Sequence, residues 1–426
     1  MLRFRAPLTV SGDYVPPPSK SYTHRALVAA ALADGESLIV NALRSDDTLM
    51  TMRALRSLGA RVIGRGSIVI VRPGRLRAPG DVIHCGASGT TLRFMTSVAS
   101  LTDGGYSVLT GTRRLRERPV GPLLDSLSQL GVEATSTRGN GLPPVIVRGG
   151  GLRGGTASLR AEESSQYVSS ILLAAPRSAA GVELEVRGIV SRTYVDATLA
   201  VMEAFGARPE RAGYDRFSVE PTGYRGARFA VPGDYSSASY FMGLVAAVGG
   251  ILTVRGLGSM PQADSAILGI LERMGARVRL DGSTGDVVVE SSGALRGGEF
   301  DLRDSPDLLP IVAALGALAQ GLTRITGIAH TRLKESDRPA AMAEELSKLG
   351  ARVWWGEGHL EVEGPVAPPE GPPPVLSDHG DHRIFMALAI LSAALRGRAA
   401  LAPSSSYRKS YPGFLEDLRE LGVDIY

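Results

Sequence analysis

One phrase recurs six times along this 426-residue chain, and it restricts the fold more than any other feature. It reads Leu-x-x-Leu-Gly-Ala, or a close apolar variant, and β-branched residues follow at once. The glycines are Gly59, Gly131, Gly206, Gly275, Gly350 and Gly422, spaced 72, 75, 69, 75 and 72 residues apart. Each copy predicts an amphipathic helix stopped by a glycine just past its end and turned directly into a strand.

A second phrase runs in step with the first. A polar cluster opens a helix rich in Ala, Leu and Val at Ser19-Lys-Ser, Ser88-Gly-Thr-Thr, Ser164-Ser-Gln, Ser236-Ser-Ala-Ser, Ser305-Pro-Asp and Asp381-His-Arg. These helices are apolar on most sides, so they belong in an interior. The repeating unit is therefore strand, buried helix, strand, outer helix, then paired strands. Outer helices have their own start signals, such as Arg118-Pro119 and Arg338-Pro339, with Pro suited to the first turn.

Six units of about 70 residues exceed one domain, and three plus three is the natural split. The sixth unit stops just after its glycine, while a strand-like run, Leu2 to Val10, stands at the other end. That run is expected to complete the last unit. The expected division is residues 1–18 with 233–426 as one discontinuous domain, and residues 19–232 as a domain inserted into it. The rigid turns Pro16-Pro17-Pro18 and Val231-Pro232-Gly233 mark the crossovers.

Composition narrows the function classes. Lys and Arg number 47 against 43 Asp and Glu, a net charge of +4, with 44% hydrophobic and 5% aromatic residues. This excludes a disordered or acidic-tail protein. No basic patch interleaved with aromatics supports a nucleic-acid-binding module, although the pI is about 9.2. Cys85 alone excludes a disulfide framework and a structural zinc cluster, and it reads as a core thiol. Residues 1–20 lack the apolar core of a signal peptide. Tyr235 to Val254 carries no charge over twenty residues, but its Ser and Gly content and its repeat siblings argue against a membrane span. The chain reads as a soluble, cytoplasmic protein.

Within the basic count, only Lys20, Lys334, Lys348 and Lys409 are lysines; the remainder are Arg. Where charge alone suffices this sequence writes Arg, so a Lys marks a place that needs a compact ammonium with a movable pKa. Three of the four lie in polar segments. Lys20-Ser21 with Arg25 heads the first buried helix, His330-Thr-Arg-Leu-Lys334-Glu335-Ser-Asp337-Arg338 precedes an outer helix, and Lys409 follows a Ser run. Lys348 sits on an outer helix face and has no assigned role. Helix N-termini carry free N–H groups and partial positive charge, so six polar-headed helices could build an anion site. Taken singly, each cluster is also explained by N-capping. Lys334-Glu335 taken alone reads as a solvated surface pair. His379-Gly-Asp381-His382 offers metal ligands, but no third cluster accompanies it, and no metal is expected.

The ordered segments Pro18-Ser-Lys-Ser, Gly86-Ala-Ser-Gly-Thr-Thr-Leu-Arg, Arg116-Glu-Arg-Pro, Ser164-Ser-Gln-Tyr, Gly233-Asp-Tyr-Ser-Ser-Ala-Ser-Tyr-Phe, Lys334-Glu-Ser-Asp-Arg, Asp381-His-Arg and Tyr411-Pro-Gly-Phe span almost the whole chain. In these the chain resembles the 5-enolpyruvylshikimate-3-phosphate synthases, the 3-phosphoshikimate 1-carboxyvinyltransferases of aromatic amino-acid biosynthesis. The resemblance implies an α/β fold: a two-domain inside-out α/β barrel of six βαβαββ units, three per domain, with the active site in the cleft between the domains. It also implies a cytoplasmic monomer that needs no cofactor and acts on two small anions, phosphoenolpyruvate and shikimate 3-phosphate.

Carried onto this sequence, the resemblance assigns Lys20, Ser21, Arg25, Ser164, Ser165, Gln166, Ser191, Tyr194, Asp307, His330 and Lys334 to shikimate 3-phosphate. It assigns Lys20, Gly89, Thr90, Arg118, Gln166, Arg338, His382, Arg383 and Lys409 to phosphoenolpyruvate. Asp307, Glu335 and Lys20 become the acid–base candidates. Gly89 is expected to let a ligand approach the backbone. Two positions depart from the family pattern, which has Asn where this chain has Ala87 and His330. Ala87 removes an amide contact, and an imidazole at 330 is expected to titrate near neutrality.

Rival readings are a transferase that moves enolpyruvyl to UDP-N-acetylglucosamine, an RNA-end phosphate cyclase, and a basic nucleic-acid-binding protein. The first would show a reactive Cys in a mobile loop and Lys-Asn near the start. Here Lys20 is followed by Ser21, and Cys85 adjoins Gly86.

Overall fold

The computed structural model describes residues 1–368 and 370–426. The chain divides into two compact units, Met1–Pro17 with Gly233–Tyr426, and Pro18–Pro232. Each unit holds three four-stranded sheets. In every sheet one strand pair is parallel and the next two are antiparallel, the order expected of a βαβαββ repeat. The six repeat glycines have φ between 81° and 111°. At Gly59 a Cβ would also lie 2.5 Å from the Arg75 carbonyl oxygen, so both conformation and space require glycine there.

The helices opened by polar clusters are interior elements. Lys20–Ala31, Gly89–Ser100 and Gln166–Ala174 serve the inserted unit; Tyr235–Val248, Leu309–Leu318 and His382–Ala394 serve the other. Leu309 through Ala317 are all buried, as an all-round apolar sequence demands. The uncharged stretch from Tyr235 to Val254 is a helix, Tyr235–Val248, then a turn at Gly249 (φ 92°), then a strand, Gly250–Val254. Among the described residues no helix is long and apolar enough to cross a membrane.

Strand pairing shows two features that periodicity does not. The run from Leu2 to Val10 is not one strand. Leu2–Arg5 pairs antiparallel with Ala400–Leu401 and Asp424–Ile425, whereas Val10–Tyr14 pairs parallel with Gly250–Val254 in another sheet. Pro7, which lacks a donor, lies in the break between them. In the inserted unit the three-residue strand Arg228–Ala230 runs parallel to Ser37–Val40 and so fills the opening position of the first sheet.

Candidate active-site residues

Four of the polar clusters cap their helices. Ser88 accepts from Thr91 N, Asp234 from Ser237 N, and Asp381 from Arg383 N. Ser19, Ser165 and Ser305 accept no capping bond with their side chains. Ser164 Oγ, in turn, accepts from Gln166 N at 3.2 Å, so capping accounts for four of the six helix starts.

In the inserted unit, Lys20 starts the first interior helix and its Nζ lies 3.1 Å from Asp47 Oδ2, both groups largely shielded. One turn on, Arg25 is buried. Its Nε donates to Thr198 Oγ1 at 2.8 Å, Nη1 to the Ser21 carbonyl at 3.0 Å, and Nη2 to the Tyr194 carbonyl at 2.9 Å. Burial pulls this guanidinium down to about 10, which still leaves it charged near neutral pH. Arg25 thereby joins Ser21 to Tyr194, near Ser191, whose φ of 55° is unusual for a residue other than glycine. Gln166 donates through Nε2 to Thr90 Oγ1 at 3.0 Å and accepts from Arg93 Nη1 at 2.8 Å. Arg93 also reaches Ser164 Oγ at 3.5 Å and the Pro119 carbonyl at 3.1 Å.

Gly89 leaves room for a neighbouring side chain. A Cβ there would fall 2.6 Å from Arg118 Nη1 and 2.8 Å from its Cζ. The space left by the missing side chain is filled by the Arg118 guanidinium, which is laid flat against the helix start.

In the discontinuous unit, carboxylates crowd round Arg338, whose side chain is 1% exposed. Its Nη1 is 2.7 Å from Asp307 Oδ1, its Nη2 3.2 Å from Glu335 Oε2, and its Nε 2.9 Å from Asp381 Oδ2. Arg383 Nη2 takes the other oxygen of Asp307 at 2.6 Å. Burial alone would raise the Asp307 carboxyl, but Arg383, Arg338 and Lys334 outweigh it and hold it well below the usual carboxylate range. His382 is buried, its Nδ1 3.6 Å from Asp381 Oδ1. Among the described residues Lys409 forms no ion pair with this cluster; it ends a short turn, Ser406–Lys409.

His330 overturns the expectation of a near-neutral titration. Burial, then the Lys334 ammonium, drive its imidazole down to about 3, so it is neutral at any working pH. The metal-like run 379–382 does not gather either. His379 Nε2 faces Glu345 at 2.7 Å, while His382 faces Asp381. Glu344, Glu345 and His379 could in principle share an ion, but the Lys348 ammonium occupies that place, 2.8 and 2.9 Å from the two Glu345 oxygens. Lys348, given no role above, neutralises a fully buried carboxylate.

Sequence reasoning passed over Asp47, Arg93 and Asp264. Arg93 could have been found, since it stands one helical turn after Gly89. Asp264 could not. It is buried beside Ser236, which donates to its Oδ2, while its Oδ1 has no hydrogen-bond partner among the described residues. Burial first, then the charge of Asp307, push its carboxyl up to about 7 despite Arg383.

Buried arginines set against carboxylates stand at helix starts of a fold of six βαβαββ units. The family model described as EPSP synthase (3-phosphoshikimate 1-carboxyvinyltransferase) matches residues 4–418, and the chain belongs to that family. A 3-phosphoshikimate 1-carboxyvinyltransferase of Methanothermobacter thermautotrophicus is 47% identical over 97% of this chain and 96% of its own. The enzyme of that name from Korarchaeum cryptofilum is 42% identical over 98% of each. Among solved structures, EPSP synthase from Acinetobacter baumannii superimposes with a TM-score of 0.79, at 26% identity, over 100% of this chain and 99% of that one. The enolpyruvyl transferase NikO from Streptomyces tendae shares the fold at a TM-score of 0.78 and 22% identity.

Proposed function

We propose that this chain transfers the enolpyruvyl group of phosphoenolpyruvate to the 5-hydroxyl of shikimate 3-phosphate and releases phosphate. The observation that carries the reading is Asp307 gripped by Arg338 and Arg383, at 2.7 and 2.6 Å, within a family whose members bear that activity's name. Lys20, Ser21, Arg25, Ser164, Ser165, Gln166, Ser191 and Tyr194 hold shikimate 3-phosphate, with Asp307, His330 and Lys334. Gly89, Thr90, Arg118, Arg338, His382, Arg383 and Lys409 hold phosphoenolpyruvate, which Lys20 and Gln166 also touch. The working form in this proposal is a cytoplasmic monomer.

In the addition step the 5-oxygen bonds to C2 of phosphoenolpyruvate, C3 gains a proton and the hydroxyl loses one. In the elimination C3 gives a proton back and the bond from C2 to the phosphate oxygen breaks. Asp307 accepts the hydroxyl proton. With both oxygens bound by guanidiniums it is a weak base, and phosphoenolpyruvate alters that. A phosphate and a carboxylate drawn onto Arg338 and Arg383 compete for the same N–H groups and cancel part of the positive field. The proton affinity of Asp307 therefore rises when its partner substrate is in place. Glu335, shielded and 3.2 Å from Arg338 Nη2, serves the methylene carbon, and Lys20 exchanges a proton with the reacting oxygens. Such acid–base help typically contributes about 10²–10⁴-fold, and cations facing the departing phosphate contribute further.

His330 donates a neutral N–H to the shikimate phosphate, as an Asn amide would. The test is phosphate release from phosphoenolpyruvate with shikimate 3-phosphate or UDP-N-acetylglucosamine as acceptor. Release with the sugar nucleotide alone would overturn the proposal.

A further inference from the structure

Lys409 follows Ala-Pro-Ser-Ser-Ser, a stretch with little apolar surface to fix its course. A carboxylate ties its start to the fold. Asp378 Oδ2 accepts from Ser404 Oγ and from Ser406 Oγ. Ser406 N in turn donates to Ser404 Oγ at 3.1 Å. Ser406 opens the turn that Lys409 closes, and Tyr407 within it stacks on Phe385, centroids 5.2 Å apart. At roughly 2 Å of rise per residue in such a turn, the ammonium stem starts about 6 Å from the pinned serine.

The other oxygen of Asp378 faces the loop that opens the Arg383 helix. Oδ1 accepts from Gly380 N at 3.0 Å, and Asp381 N donates to the Asp378 carbonyl at 2.8 Å. Asp381 then caps that helix and bonds Arg338. This loop is itself braced from the far side. Glu345, fully buried, accepts from Ser377 N at 2.9 Å and lies 2.7 Å from His379 Nε2. Asp378 is therefore a fixed post, set in register with two arginines, to which the Lys409 turn is tied.

We infer that Asp378 is a positioning residue: its clasp on Ser404 and Ser406 holds Lys409 where phosphoenolpyruvate is bound. The inference rests on the reaction proposed above, and the experiment separates the two. Steady-state kinetics with both substrates varied is run on the full chain, on Asp378→Ala, on Asp378→Asn and on Ser404→Ala/Ser406→Ala. In Asp378→Ala the KM for phosphoenolpyruvate should rise roughly tenfold, the effect of losing about one charge-assisted hydrogen bond, while the KM for shikimate 3-phosphate stays within about twofold. The double serine variant should give the same split, and combining it with Asp378→Ala should add nothing, because both cut one clasp. Asp378→Asn, which keeps one acceptor oxygen, should recover part of the affinity. If Asp378→Ala does not fold, the serine pair carries the test alone. Equal rises in both KM values, a fall in kcat alone, or full additivity would overturn the clasp while leaving the reaction intact. A wild-type chain inactive with this substrate pair would overturn both.

Discussion

Replacing Arg338 by Met removes the shared partner of three carboxylates and leaves a similar apolar stem. The cost can be apportioned from the surroundings of each acid. Asp307 keeps Arg383 at 2.6 Å, and Glu335, its side chain 12% exposed, can turn toward water. Asp381 has no such recourse. At 0% exposure it keeps Ser336 Oγ at 3.2 Å and the Arg383 amide at 2.9 Å, but loses its nearest cation. Stranding a buried ion-pair partner costs about 3–5 kcal/mol, and the two surviving bonds place the expectation near the lower end, about 3 kcal/mol. The assay is urea unfolding followed by tryptophan fluorescence. Both tryptophans, Trp354 and Trp355, lie on one strand of the Arg338 unit, so the signal reads that unit alone. Adding Asp381→Asn, which keeps an oxygen for the Arg383 amide but no charge, should recover much of the loss. A loss under about 1 kcal/mol for Arg338→Met, or an equal loss in the Asp381→Asn background, would refute the reasoning.

His330→Asn should leave the pH profile of kcat/KM unchanged between about pH 5 and 9, because a group held at about 3 carries no charge there; a displaced limb would contradict this. Asp264, raised to about 7 from an ordinary 3.8, binds its proton more tightly folded than unfolded, so it withdraws stability as pH climbs through that window. The Tm advantage of Asp264→Asn should therefore widen from pH 5 to pH 7.5; a constant gap would count against a buried protonated acid. Gly89→Ala should barely move the Tm, since the clashing atoms end a flexible side chain, yet displacing the Arg118 guanidinium should raise the KM for phosphoenolpyruvate by about 10- to 100-fold. Lys348→Met strips the ammonium from fully buried Glu345, and about 1–3 kcal/mol should be lost in the same fluorescence assay.

The repeats were legible because each unit states its own grammar: a polar start, an apolar helix, a glycine that must take positive φ. Three-residue strands state nothing, so Arg228–Ala230 could be placed only by the partner it finds at Ser37–Val40. Segments that carry the candidate site were also legible, since scarce lysines and ordered motifs flagged them. Their internal partners were not. Arg338 and Asp381 stand 43 positions apart, a distance with no periodicity to read. Glu345 looks like a surface acid paired with Lys348 on an outer helix; only the loop at 377–379, folded over it, makes it an interior charge. Charge state failed for the same reason. Whether His330 titrates depends on burial and on Lys334, which a residue name does not report.

Strand pairing in the discontinuous unit also has a temporal side. During synthesis at roughly 5–20 residues per second, Leu2–Arg5 would wait about 20–80 s for Ala400–Leu401 and Asp424–Ile425 to emerge. In the inserted unit the wait is about half as long, since Ser37–Val40 meets Arg228–Ala230 about 190 residues later. Arg228–Ala230 closes its first sheet, and Ser19 N bonds the Pro232 carbonyl at 2.8 Å, so its last partner arrives near its own last residue. A nascent chain could finish the middle while its opening strand stays unpaired, with Leu2 and Phe4 alternating with Arg3 and Arg5. Charges at alternate positions and a nearby Pro are features that commonly keep an unpaired edge from pairing with other strands, and Leu2–Arg5 has both, with Pro7 lying beside it.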